Sequence, residues 1–385
     1  MSNQSAEQSG SRNRIAGLDV ARGLALFGIA GNHLMGANTT ASWLITRIMA
    51  DFHAVAFAFL IGSGVQLEYD AAKRRGQSSW PSVLIRAAFL VIVGAIVGWW
   101  ATRVAVILVT LGLLTVVARV VVGLATWALA SLTGLIFLVG PLLTSGNVAF
   151  RWSGTLYNPD LTDAFRPEAY LSFFVAEPYP FVTWTFYALV GMLYVRLVLK
   201  KPRLYWLTTC LAIGGAAIAL AIDAATRPRE TAFIDGLLTW EAYSGSYVNV
   251  VSSALVVIAG VTLCCILAEG APGHMRSLVT VLTAVGQLTL TWYVVHILIS
   301  DRIMAYLEHL PPHLVYLDIG IWVAQMIGFT LLSALYKGHF RYGPLEAIPR
   351  QIVKRFSRLR EARMRGAPRA FRLSRHRKTR HRKTR

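Results

Sequence analysis

The stretch "RGLALFGIAGNHLMG" (Arg22–Gly36) opens with an arginine and closes on Asn32 and His33. Between them lie apolar and small residues at the density of a membrane-spanning helix. An ion at one end and an imidazole at the other are costly in lipid. Such side chains face the interior of a bundle or a water-filled cavity. Arg22 and His33 are eleven residues apart, which on an α-helix is three turns and about 20°, so they share a face. Their separation along the axis is about 16 Å. One stripe of this helix therefore carries a cation at one end and a base at the other. Gly28 and Gly31 would let a neighbour approach closely.

The rest of the chain has the same character. Of its 385 residues 55% are hydrophobic and 15% are charged, against about 25% charged in soluble domains, and the mean hydropathy is +0.52. This composition predicts an all-α polytopic membrane bundle. Spans of about 20 apolar residues fall at ten places: 15–36, 51–69, 82–102, 104–118, 120–142, 180–199, 204–222, 247–268, 278–299 and 315–336. The fourth and fifth come from one apolar stretch divided at Arg119. Residues 1–13 read as a disordered cytoplasmic N-terminus without a signal peptide, 14–336 as the membrane domain, and 337–385 as a basic cytoplasmic tail.

Orientation follows from the Lys and Arg of the short loops. Lys73, Arg74, Arg75, Arg119, Lys200, Lys201, Arg203 and Arg276 all fall on the side of the N-terminus. The opposite loops hold most of the acids, including Asp160, Asp163, Glu168, Glu177, Asp235 and Glu241. Both termini are thus expected in the cytoplasm of a bacterial plasma-membrane protein. Residues 337–385 hold 18 of the 38 Lys and Arg and only two acids, Glu346 and Glu361. They end in two copies of "HRKTR". Such a juxtamembrane cluster suits anionic lipid headgroups, and nothing else in the sequence supports nucleic acid as its partner. Two loops on the outer side, 143–179 and 223–246, are long enough for a lid or a binding surface.

With this topology, His53, His296 and Glu177 are expected at the depth of His33, each from a different segment. Imidazole suits proton transfer or metal ligation. No H-x-x-x-H pair falls on a predicted helix and the three cysteines sit in apolar runs, so no metal is expected. Asp19 and Arg22, three apart on one helix face, read as an ion pair near the inner surface. No G-x-S-x-G, Walker A or G-x-G-x-x-G motif occurs, so neither a serine hydrolase nor ATP or NAD chemistry is indicated.

Three segments carry a resemblance. "RIAGLDVARGLALFGIAGNHL" (Arg14–Leu34) is similar to the first span of the transmembrane acyltransferase superfamily. "ADFHAVAFAFLIGSGVQL" (Ala50–Leu67) resembles its second span. "FRYGPLEAIPR" (Phe340–Arg350) resembles the C-terminal signature of the YeiB-like branch, which is related to heparan-alpha-glucosaminide N-acetyltransferase. The matches cover about 50 residues but bracket nearly the whole chain. The resemblance implies transfer of an acyl group from cytoplasmic acyl-CoA, acetyl-CoA first among them, to a glycan, lipid or glycoconjugate on the far side. Asn32 matches the family's asparagine. The family's histidine before an Ala-Ser-Trp is here Thr40, before Ala41-Ser42-Trp43, so His33 is expected to take its place as base. His53, Glu177 and His296 would support it. Arg22, Arg74, Arg75 and Arg86, with Asp19 beside Arg22, would hold the donor's phosphates. Two other classes remain open: a transporter of a small solute, which suits the same ionisable residues, and a non-catalytic scaffold that binds through its basic tail. A homo-oligomer is compatible with each.

Overall fold

A computed structural model describes residues 15–35, 51–144, 158–159, 162–175, 179–229, 231–307, 309 and 317–366. Glu177, Thr40 and the HRKTR repeats lie outside the described residues. Those described form α-helices joined by short turns, with no strand among them. In chain order they are α1 (Ala16–Leu34), α2 (Phe52–Arg74), α3 (Trp80–Trp100), α4 (Leu108–Val121), α5 (Thr126–Thr144) and α6 (Pro167–Val175). There follow α7 (Phe181–Tyr194), α8 (Tyr205–Ala225), α9 (Ala232–Leu238), α10 (Tyr247–Gly270), α11 (Arg276–Gln287) and α12 (Thr289–Leu307). The last two are α13 (Leu317–His339) and α14 (Pro344–Gly366).

Among the described residues six runs are long and apolar enough to cross a membrane: α3, α5, α7 with the π-turn after it, α8, α10, and Leu317–Leu359 through α13 into α14. A seventh is broken: α11 and α12 meet at Leu288 with a bend of 73°. Hydropathy alone predicts ten spans. The difference lies in α1, α2 and α4. Helix α4 has only 14 residues. Helices α1 and α2 carry Asp19 and Arg22, and Glu68, Asp70, Lys73 and Arg74. They stand in the centre of the bundle, where Arg22 pairs with Asp19, Arg86 with Glu68 and Lys200 with Asp70, while Lys73 and Arg74 are exposed at the end of α2. Leu26, Ile29 and Ala30 of α1 and Ala54, Val55 and Ala58 of α2 have no exposed surface. The centre is held at close range by small residues. A Cβ on Gly28 of α1 would sit 2.8 Å from Cβ of His53 on α2, and a Cβ on Gly62 would strike the backbone of Ala188 in α7.

The stretch divided at Arg119 is interrupted a few residues later, at 122–125. Arg119 does not break the helix, because its guanidinium stacks 4.2 Å from the Trp80 ring centroid and 5.4 Å from that of Tyr69. The turn between α3 and α4 is tied by two side chains. Asn158 accepts from Val106 N at 2.6 Å and donates to the carbonyls of Ala101 and Val104. The buried Asp301 accepts from Thr102 N and Arg103 N, each at 2.9 Å.

Candidate functional site

The break at Leu288 lies beside a close backbone contact. Gly286 lies against the backbone of Asp19, where any Cβ would collide with its carbonyl oxygen. This contact fixes α11 against α1 and leaves the chain to restart as α12. The new N-terminus exposes backbone N–H groups, and Glu346 of α14 meets them. Thr291 N donates to its Oε1 at 3.0 Å and Thr291 Oγ1 to its Oε2 at 2.6 Å. Helix α14 is thereby seated against the bundle. The beginning of the stretch read from sequence as a basic cytoplasmic tail thus packs on the bundle.

Restarted in this direction, α12 carries His296 to His33. Their rings stack at 5.3 Å with an 11° interplanar angle, and His33 Nδ1 lies 3.2 Å from His296 Nε2. His296 is fully buried. Its Nδ1 lies 3.3 Å from the Trp292 carbonyl, which only accepts, so Nδ1 carries the proton. In the neutral ring Nε2 then accepts from His33 Nδ1–H. The hydrogen-bond network thus leaves the lone pair of His33 on Nε2, the nitrogen that is free to take a proton.

Asn32 and His53 meet through a residue that sequence reasoning missed. Tyr243 Oη lies 3.2 Å from His53 Nε2 and 3.5 Å from Asn32 Nδ2. Tyr243 Oη accepts from Asn32 and shares a hydrogen bond with His53 Nε2. Tyr243 reaches inward from the 223–246 loop in a left-handed conformation, φ 60°, which costs a non-glycine residue about 1 kcal/mol or more. The buried Asp51 holds it there. This carboxylate accepts from Asn249 Nδ2 at 2.9 Å, from Ser253 Oγ at 2.8 Å and from the Tyr243 backbone N at 3.3 Å. The far part of the same loop is pinned by Arg229, whose buried guanidinium bridges Asp223 at 2.6 Å and Asp235 at 2.5 Å. Burial works against that charge, but the two carboxylates outweigh it and hold the guanidinium above its ordinary pKa. A lone tyrosine and an aspartate before the second span are not diagnostic in sequence; only their convergence is.

The cavity beneath this site has a volume of about 590 Å³ and lies between α2, α3, α4, α12 and α14. Its mid-section is apolar, with Phe57, Leu60, Leu90 and Leu111 in its wall. One boundary is Tyr293, whose ring stands edge-on to His296 at 5.0 Å. Arg22 and Arg86 border the cavity, as do Arg350 and Lys354 of α14, with the carboxylates Glu68 and Glu346. Arg22 is paired with the buried Asp19 at 2.6 Å, and Gln287 donates to the same aspartate at 3.4 Å. Arg86 and Ser82 both bind Glu68. Arg74 and Arg75 stand exposed around the end of α2 and do not border the cavity. Among the described residues no group of three or more His, Cys, Asp and Glu is placed to hold one metal ion.

Fold and site together define a multi-span helical membrane protein with a buried polar centre above a cation-bordered cavity. Residues 193–355, from the end of α7 into α14, match the family described as protein of unknown function (DUF418). That segment contains Tyr243, Thr291, His296 and Glu346, while His33 and His53 precede it. No curated protein matches the chain.

Proposed function

We propose that the protein is an acyltransferase of the bacterial plasma membrane, in the YeiB-like branch of the transmembrane acyltransferases. In this reading it moves an acyl group from cytoplasmic acyl-CoA to a hydroxyl or amine of an envelope glycan, lipid or glycoconjugate. The observation that carries the reading is the 3.2 Å contact between His33 and His296, one ring beyond a cavity bordered by cations. The donor occupies the cavity with its phosphates at the Arg22 end and its thioester towards Tyr293. His33 Nε2 takes the proton of the acceptor as its oxygen or nitrogen attacks the thioester carbonyl carbon. The carbon–sulfur bond breaks, and the thiolate recovers the proton from His33, leaving the acylated acceptor and free CoA. In this reading His296 keeps the His33 tautomer, and Asn32 donates to the developing oxyanion.

The test is transfer of labelled acyl groups from acyl-CoA to the glycan and lipid fractions of membranes that contain the wild type or His33→Ala. The wild type should transfer label. The variant should lose about 100-fold or more of the rate, as expected for removal of a general base, at unchanged expression and thermal stability. Undiminished transfer by His33→Ala would sink the assignment. A second reading, transport of a small solute, is favoured by the broken helix at Leu288, whose flanking residues border the cavity. Label in the vesicle lumen as unmodified solute, without acylated product, would select it.

A further inference from the structure

Tyr293 borders the cavity, and only half of the hydrogen-bonding capacity of its hydroxyl is used. The residue is buried, with 2% of its surface exposed. Its Oη accepts from Ile107 N at 3.1 Å. A backbone N–H can only donate, so the phenol's own proton takes no part in that bond. Nothing among the described residues accepts that proton. The other contacts of the ring are edge-on packing, 5.0 Å from His296 and 6.2 Å from Phe57 between centroids. A buried tyrosine O–H ordinarily finds an acceptor, and here the space it borders is the cavity. The wall shared with Phe57, Leu90, Leu108 and Leu111 is hydrocarbon, where a hydrogen bond to a developing charge is stronger than in water. His296 stands between two reactive groups, since His33 stacks on it at 5.3 Å and Tyr293 meets it edge-on. Base and hydroxyl thus flank one imidazole, and the hydroxyl still has a proton to share.

We propose that Tyr293 is a catalytic residue whose hydroxyl donates to the carbonyl oxygen of the donor's thioester, as an oxyanion donor in addition to Asn32. The inference rests on the acyltransferase reading and names the group that touches the thioester within the cavity. As the acceptor's oxygen or nitrogen attacks the carbonyl carbon, its proton passes to His33 and the C=O π pair moves onto the carbonyl oxygen. The Tyr293 O–H keeps its proton and stabilises that charge by its hydrogen bond. When the carbon–sulfur bond breaks, the pair returns to the carbonyl and the thiolate leaves. Ile107 N–H, donating to the same phenol oxygen, fixes the side chain and strengthens its O–H as a donor.

The probe is acetyl-CoA, isotope-labelled at its carbonyl and bound to the full-length protein in phosphatidylcholine nanodiscs. In the His33→Ala background, which holds the thioester without turning it over, the infrared carbonyl stretch should lie lower than in the same background with Tyr293→Phe. Equal frequencies overturn the inference. In steady-state transfer, Tyr293→Phe should lose about 100-fold or more in kcat, the scale for removing one oxyanion donor, with the donor KM little changed. Phenylalanine also leaves Ile107 N–H without its acceptor, so a fluorotyrosine at position 293 is the second variant. It keeps the ring and the acceptor but has a more acidic hydroxyl. The hydroxyl donates only while protonated, so the alkaline fall of kcat should move to lower pH. A structural role would leave that profile in place, and an unmoved profile overturns the inference. A carbonyl stretch lowered by Tyr293, without acylated product in any fraction, would leave this contact standing and remove the acyltransferase reading alone. Acyl transfer with undiminished kcat in Tyr293→Phe would do the reverse.

Discussion

Glu346 reaches from the first turn of α14 to Thr291 in the first turn of α12, 55 residues back in the chain, and takes both the backbone N–H and the hydroxyl of that residue. The Gly-Pro-Leu-Glu sequence after the last span thereby has a physical role, because its carboxylate closes the open end of a helix broken at Leu288. The glycine belongs to the same device, since a Cβ on Gly343 would sit 2.7 Å from a methyl of Leu288 and collide with the Glu346 carboxylate.

Replacing that carboxylate should loosen the break. Glu346→Ala is expected to lower stability by about 0.5–2 kcal/mol, the range for a lost helix cap. Glu346→Gln, which keeps one acceptor, should lose less. Thermal unfolding of the detergent-solubilised protein, followed by size exclusion, measures the order; equal midpoints for all three proteins would show that the cap does not stabilise the fold.

His296 acts on His33 without standing at the cavity itself. His296→Phe preserves a ring in the stack but leaves His33 Nδ1 without an acceptor, so the tautomer is no longer fixed. By analogy with losing an orienting hydrogen bond to a functional imidazole, about 10–100-fold in activity should go. The loss should appear in kcat, with donor KM little changed. A KM effect alone would mean that His296 shapes the cavity instead.

Asp51 should matter more than its distance in sequence from Tyr243 suggests. Asp51→Ala leaves Asn249 and Ser253 buried without their acceptor and releases the backbone of Tyr243. The expected cost is about 1–3 kcal/mol for each unsatisfied group. Tyr243→Phe removes only the hydroxyl between Asn32 and His53 and should cost about 1 kcal/mol of stability. Limited proteolysis within residues 223–246 should accelerate in Asp51→Ala and stay unchanged in Tyr243→Phe; equal cleavage in both would deny Asp51 its hold on the loop.

Two glycines two residues apart on α2 should answer oppositely. Gly62 packs on the backbone of Ala188, so Gly62→Ala forces α2 and α7 apart and should destabilise by about 1–3 kcal/mol. Gly64 borders the cavity, and nothing lies within 4 Å of a Cβ placed there. Gly64→Ala should be neutral or stabilising by about 0.5–1 kcal/mol, from the better helix propensity alone. Gly64→Leu should leave the protein folded while its side chain takes up cavity volume. Donor affinity should then fall without a loss of thermal stability; unaltered affinity would place the donor elsewhere.

By itself the sequence determined the all-helical membrane class, through long apolar runs sparse in charge. It also determined that Arg22 and His33 share a face of α1, because helical periodicity is a local property. The alignment of His33 with His296 was legible only as a common depth. Their contact depends on the 73° bend at Leu288, and the close approach of Gly286 to Asp19 that accompanies it joins residues 267 positions apart. Tyr243, Asp51, Arg350 and Lys354 were not legible as site residues, since a loop tyrosine or an arginine on a basic helix has the same local pattern whether it meets a cavity or water. The hydrogen bonds of Asp51 and the seat of Glu346 decide that difference. Both join segments far apart in the chain, and hydropathy carries no information about which buried polar groups find one another.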